Sequence, residues 1–113
     1  MKINKKNALI LWYERYGDSL IEEDFDGAIM HREAYGVEHA VTYINGEKIY
    51  CGWNLHHILP INRGGTNAKG NLECTNIVTN EKAGDKTTFV IDNIKYQVKK
   101  VKGTQNEYWI DSI

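Results

Sequence analysis

The chain has 113 residues, 42% of them hydrophobic and 26% charged, with a formal net charge of −1. That describes one small globular domain, residues 1–113, long enough to bury a core without obligatory staples. No apolar run approaches the ~18–20 residues of a membrane-crossing helix. Cys51 and Cys74 are too few for a disulfide framework or a four-cysteine zinc site.

Bulk charge makes no case for a polyanionic partner, but the two halves differ. Residues 1–50 hold six Lys/Arg against nine Asp/Glu, and residues 51–113 hold eight against six. The acid concentrates in Asp18 and the run Glu22–Asp26, read as a solvated face. The base lies in Arg63, Lys69, Lys82, Lys86 and the segment Lys95–Lys102. Any nucleic-acid surface therefore belongs to the C-terminal half.

At the N-terminus, lysines precede the apolar stretch Ala8–Trp12, but Tyr13, Glu14 and Arg15 follow with no small-residue cleavage site. This reads as a helix of the mature, intracellular protein rather than a signal peptide. Leu9, Trp12, Tyr13 and Tyr16 recur at three- and four-residue spacing and predict a helix over Lys5–Tyr16, ended by Gly17. Phe25, Ala28 and Ile29 suggest a second short helix with Gly36 as its stop. Val41–Ile44 and Glu47–Tyr50 flank Asn45-Gly46, the residue pair that tolerates the positive φ angles of a tight hairpin turn. Thr88–Ile91 and Ile94–Val98 flank Asp92-Asn93 as a second hairpin, and Tyr108–Ile110 is a last strand after a turn at Gly103. The class is α+β: N-terminal helices, a hairpin, a central motif, and a C-terminal antiparallel hairpin.

Residues 51–86 lie between the hairpins and carry the chemistry. They contain two adjacent histidines, the only proline, Gly64-Gly65, and six asparagines at 54, 62, 67, 71, 76 and 80. Imidazoles at His56 and His57 can supply a metal ligand and a general base. Neighbouring side chains of a regular strand face opposite ways, so both serve one site only where the strand ends. Pro60 makes such an ending here. Glu81-Lys82-Ala83 after Thr79 reads as a helix start, capped by Thr79 or Asn80. Asn80 could instead turn its oxygen toward a cation. Cys51, Cys74 and Trp53 are read as core, and His31 and His39 as structural or surface residues.

The ordered set Gly52–Pro60, Arg63-Gly64-Gly65, Asn71-Leu72 and Thr79-Asn80 resembles the HNH endonucleases, the ββα-metal nucleases, over about 36 residues from Cys51 to Lys86. Trp12–Gly17 and Asp24–Gly27 look like the lead-in of some small members of that family. The resemblance implies a metal-dependent DNA endonuclease. His57 would be the general base, and His56, where the family often has Asp, would be a metal ligand. Asn71 would pin the loop that aims His57, and Asn80 would be the second ligand. Arg63, Lys82 and Lys86 would contact nucleic acid. The implied cofactor is a divalent ion, Mg²⁺ or Mn²⁺. Because neither ligand is a carboxylate, Ni²⁺, Co²⁺ or Zn²⁺ also fits unless Glu81 or Asp85 reaches in. Paired zinc cysteines common in the family are missing, which leaves the fold to its aromatic core.

The implied partner is double-stranded DNA, with action inside a larger protein complex as an alternative setting and no membrane partner. The implied location is the cytoplasm of a bacterium or a phage-infected host cell. Without a recognisable helix-turn-helix or finger array, sequence specificity should be low. The rival expectation is a module of the same descent that binds nucleic acid or protein, or inhibits a partner, with little or no catalysis.

Overall fold

Residues 1–113 are described by a computed structural model. The first helix, α1 (Lys5–Tyr16), begins where the Asn4 side chain accepts the Asn7 N–H at 2.9 Å. It ends at Gly17, whose φ of 62° lets its N–H return to the Tyr13 carbonyl. Its inner face sets Ala8, Leu11 and Trp12 into a core with Met30, Cys51, Trp53, Leu55, Leu72 and Cys74. The Trp12 ring lies 4.8 Å from that of Trp53 and 4.9 Å from that of Tyr16, and the Trp12 indole N–H donates to the Ser19 carbonyl. Both cysteines are free and buried. Burial pushes the Cys74 thiol up to about 12.

The second helix suggested by Phe25, Ala28 and Ile29 does not form. Strands β1 (Ile21–Glu23) and β2 (Ile29–His31) pair there instead, followed by a single 3-10 turn at Arg32–Ala34. The reason is the Asp24 carboxylate. Its Oδ1 accepts the N–H groups of Asp26 and Ala28, both at 2.9 Å, and Gly27 takes a φ of 81°. These side-chain bonds satisfy the backbone in a turn and so compete with a helix. Its other oxygen accepts the buried Asn76 N–H at 3.1 Å. Asp24 is 8% exposed, so the acidic run is not wholly a solvated face. Burial raises its pKa, opposed by its hydrogen bonds.

The hairpin strands β3 (Val41–Ile44) and β4 (Glu47–Tyr50) turn at Asn45 and Gly46, with φ of 52° and 79°. Strands β5 (Trp53–His57) and β6 (Leu72–Asn76) pair antiparallel, Trp53 opposite Asn76 and His57 opposite Leu72. Helix α2 (Ile77–Ala83) follows β6 directly and packs back on both strands. Its cap is Asn76, not Thr79 or Asn80, because the Asn76 Oδ1 accepts the Val78 N–H at 2.9 Å.

Strands β7 (Thr88–Ile91), β8 (Ile94–Lys100) and β9 (Tyr108–Ser112) form a three-stranded antiparallel sheet, so the C-terminal hairpin is widened by one strand. Asp92 and Asn93 make its turn at φ of 49° and 70°. A second core of Ala83, Phe89, Ile91 and Tyr96, joined by Phe25 and Ile110, lies between α2 and this sheet. The Tyr96 hydroxyl donates to Asp26 at 2.6 Å. No helix is long and apolar enough to cross a membrane.

Removing the Asp24 carboxylate strips three N–H groups of their acceptor. Asp24→Ala is expected to lower unfolding free energy by roughly 3 kcal/mol in a urea titration, at about 1 kcal/mol per lost bond. Glu23→Ala, exposed at the end of β1, should change it by less than about 0.5 kcal/mol.

Candidate metal and catalytic centre

Six asparagines crowd residues 54–80, and each is used. Asn71 is completely buried. Its Oδ1 accepts the Leu59 N–H at 2.7 Å, and its Nδ2 donates to the carbonyls of Leu59 and Thr66 at 3.0 and 2.9 Å. One amide thus latches both sides of the loop that joins β5 to β6. Within that loop Pro60 leads into a 3-10 turn at Ile61–Arg63, and Gly64 reverses the chain with a φ of 95°. A Cβ on Gly65 would collide with the Leu59 carbonyl, which explains the second glycine.

The latch ends β5 at His57, where strand alternation no longer separates adjacent side chains. His56 and His57 accordingly line one cleft of about 410 Å³, together with Asn80, Pro60, Asn62 and Asp85. His56 is 4% exposed and turns toward α2, its Nδ1 lying 2.5 Å from the Asn80 Oδ1. The Asn80 Nδ2 donates to the Asn54 Oδ1 at 2.7 Å, which directs the amide oxygen, not the nitrogen, at His56. Burial lowers the His56 pKa, partly opposed by the Asn80 bond and aided by the positive charge His57 can carry. A neutral imidazole is the form that can ligate a cation.

His57 is partly exposed, and its Nε2 lies 2.7 Å from the Asn67 Oδ1. An amide oxygen only accepts, so Nε2 carries the proton and Nδ1 keeps the basic lone pair. The sequence reading missed Asn67; its membership of the asparagine cluster was the only signal. Of the two carboxylates the sequence offers, Glu81 and Asp85, the structure brings Asp85 to the cleft. The Asp85 carboxylate accepts the Asn62 Nδ2 at 2.8 Å, and its carbonyl accepts the Arg63 Nε at 3.2 Å. Asp85 therefore brings an acid to the cleft wall, whereas Glu81 lies in a separate depression with Glu38 and His39.

The cationic residues divide. Arg63 is exposed beside the cleft, tied to the Asp85 carbonyl, and Lys86 is exposed immediately after Asp85. Lys82 projects into another cleft with Asp26 and Thr79, its Nζ 4.0 Å from Asp92. The structure does not bring it to the histidines. His31 and His39 also stand outside the cleft.

No three His, Cys, Asp or Glu side chains gather into a chelate. The donor pair is Asn80 Oδ1 with His56 Nδ1, which as it stands carries the proton given to the Asn80 oxygen and must pass it to Nε2 before it can ligate. Two adjacent ligands at about 2.1 Å from one cation would stand roughly 3 Å apart, so the observed 2.5 Å needs an opening of a few tenths of an ångström. The pair fits a cation whose remaining positions are taken by water or phosphate oxygens. No protein-family model matches the chain, and comparison with curated proteins and with solved structures also finds no match.

Because Asn71 serves two backbone segments at once, Asn71→Ala is expected to cost about 2–4 kcal/mol of stability. Amide exchange at Leu59 should accelerate more than exchange in α1, read by hydrogen-exchange mass spectrometry or NMR.

Proposed function

We propose that this chain is a small HNH-type endonuclease that hydrolyses DNA phosphodiester bonds with a divalent metal and little sequence preference. The β5–β6–α2 unit would be its ββα-metal core, and the cytoplasm of a bacterium or phage-infected cell its place of action. The observation that carries the reading is that His56, His57 and Asn80 share one cleft. It is supported by the order of the His pair, Pro60, Gly64-Gly65, Asn71 and Asn80 along the chain.

In this mechanism His57 takes the proton of the attacking water on Nδ1, while its Nε2–H stays on the Asn67 oxygen. Asn67 thereby fixes the tautomer, much as an acceptor behind any catalytic histidine must. Asn71 acts through the backbone, holding the end of β5 so that His57 faces the cleft. His56 and Asn80 would hold the cation, with Asn54 keeping the Asn80 oxygen turned inward. When bound, the ion supplies positive charge to the scissile phosphate and the leaving 3′ oxygen. Arg63 and Lys86, at the cleft mouth, are placed for neighbouring phosphates, and Lys82 could touch only a more distant one. Two neutral donors suit Mn²⁺, Co²⁺, Ni²⁺ or Zn²⁺ better than Mg²⁺.

The test is relaxation of supercoiled plasmid with Mg²⁺, Mn²⁺, Ni²⁺ and Zn²⁺ in turn. Cleavage is expected with at least one ion, lost with EDTA, and reduced at least about a hundredfold in folded His57→Ala. Cleavage that survives His57→Ala would remove this mechanism. The neutral donor pair and the engagement of the Asp85 carboxylate by Asn62 favour a second reading, a binding module of the same descent. Folded protein inactive with every ion, yet binding a partner equally well as His57→Ala, would support that reading instead.

Ion preference gives a separate prediction. His56→Asp restores an anionic ligand and is expected to lower the Mg²⁺ concentration needed for half-maximal cleavage by about tenfold. Its Ni²⁺-supported activity should fall, since a nitrogen donor is lost.

A further inference from the structure

Beyond Arg63 and Lys86 at the cleft mouth, positive charge in this chain concentrates toward its C-terminal sheet. Residues 86–102 carry five lysines against Asp92 alone, a net of +4, while the remainder of the chain carries −5. Three of those lysines are on β8, the central strand of the C-terminal sheet, where alternation sets Lys95 and Lys99 on one face and Lys100 on the other. One face of the sheet is spoken for, since Phe89, Ile91 and Tyr96 pack against Ala83 of α2 and against Phe25. By strand alternation Val90, Lys95, Gln97, Lys99, Trp109 and Asp111 stand on the other face, and no element covers it. Trp109 is 46% exposed there, unusual for the largest apolar side chain.

The cross-strand register sets Lys99 opposite Trp109. The Lys99 Nζ lies 5.7 Å from the centre of the indole and 2.5 Å from Asp111 Oδ2. The Lys99 ammonium thus lies over the ring and pairs with the one acid of the face. Lys95 has no ion-pair partner, and neither does Lys86 ahead of β7. The end of the sheet where β7 and β9 begin is joined to the cleft wall and to the loop latch. Lys86 follows the cleft residue Asp85, and Glu107, just before β9, lies against Gly70 beside Asn71.

We propose that this open face of the β7–β8–β9 sheet holds a single-stranded stretch of nucleic acid next to the bond to be cut. Lys86, Lys95 and Lys99 contact its phosphates and Trp109 stacks on an unpaired base. The unpaired Lys86 and Lys95 favour a polyanion, and an exposed indole adds stacking that a paired base cannot offer. The inference rests on the nuclease reading and narrows its substrate to DNA with an unpaired segment, such as a frayed end, flap or displaced strand.

The test is fluorescence anisotropy of the full chain with a labelled single-stranded oligodeoxynucleotide of about 20 residues and with its duplex, across a salt series. EDTA keeps cleavage out of the readout. Wild type is expected to bind the single strand more tightly than the duplex. Trp109→Ala should weaken single-strand binding at least about fivefold, with Trp109→Phe retaining most of it. The double variant Lys95→Gln/Lys99→Gln should reduce the slope of log affinity against log salt by about 0.7 per lysine. Thermal melts confirm that each variant is folded. Absence of single-strand binding by wild type, or unchanged affinity and slope in the folded variants, overturns the proposal. The expected binding pattern without cleavage under any ion keeps this surface and removes the nuclease. Cleavage unimpaired in the folded Trp109 and lysine variants keeps the nuclease and overturns the surface.

Discussion

The geometry of the cleft hangs on one side chain well away from it. Asn76 is 2% exposed and caps α2 by accepting the Val78 N–H. Its Nδ2 donates to the carbonyls of Ile29 and Tyr50 at 2.8 and 2.9 Å, and its own N–H reaches Asp24. Strands β2, β4 and β6 and the Asp24 turn are therefore tied to the first residue of the helix. A helix of seven residues is far too short to persist alone, because nucleation costs more than so few bonds return. Tertiary ties must hold it, and Asn76 fixes its starting point. Asn80 follows one helical turn later, which is why its amide meets His56 across the β5–β6 pair.

The cleft is assembled from amides where charged groups could have been used. Placing a carboxylate at position 80 would give a cation a stronger ligand, but without the ion it would leave a charge beside a largely buried histidine. Such a charge costs several kcal/mol unless it is paired. Asn80 avoids that cost because both ends of its amide are satisfied, the oxygen by His56 and the nitrogen by Asn54. The hydrogen bonds of the Asn80 amide are thus complete within the protein, and burial lowers the pKa of the His56 beside it. The consequence is weaker attraction for hard cations, whose binding relies on anionic oxygen. Asp85 is the one acid on the cleft wall, and its bond to Asn62 shows how it can remain there without an ion.

Local signals were legible in the sequence and long-range ones were not. Asn45-Gly46 and Asp92-Asn93 specify positive φ angles chemically, so both hairpin turns could be placed to the residue, although the second hairpin's return strand runs two residues past Val98. The spacing of Leu9, Trp12 and Tyr16 gave α1 its correct limits. Phe25, Ala28 and Ile29 misled because apolar spacing says nothing about a carboxylate folding back on its own backbone, as Asp24 does. The α2 cap was placed too late for a related reason. Asn76 and Asn80 are equally good caps by residue type, and only contacts with Ile29 and Tyr50 decide between them. His56, His57, Pro60 and Asn80 could be grouped from their order, but Asn67 joins them, and Asp85 rather than Glu81 does, through loop geometry that no local pattern encodes. Lys82 shows the converse: near Asn80 in sequence, it faces Asp92 in another cleft.

Two separate cores flank the short helix, and this arrangement answers how a domain with only two cysteines holds a precise loop. The α1 core clamps the outer ends of β5 and β6 through Trp12 and Trp53, both fully buried. The sheet core takes Ala83, at the far end of α2, between Phe89 and Tyr96. Truncating a buried tryptophan costs about 3–5 kcal/mol, comparable with the loss of a disulfide from a small domain. Aromatic packing on this scale can replace a metal or disulfide staple as the source of rigidity. It also divides the labour of the fold: one core orients the histidine strand, the other orients the helix, and the cleft lies where the two orientations must agree. His56 comes from the strand that one core orients and Asn80 from the helix that the other orients, so their 2.5 Å contact depends on both.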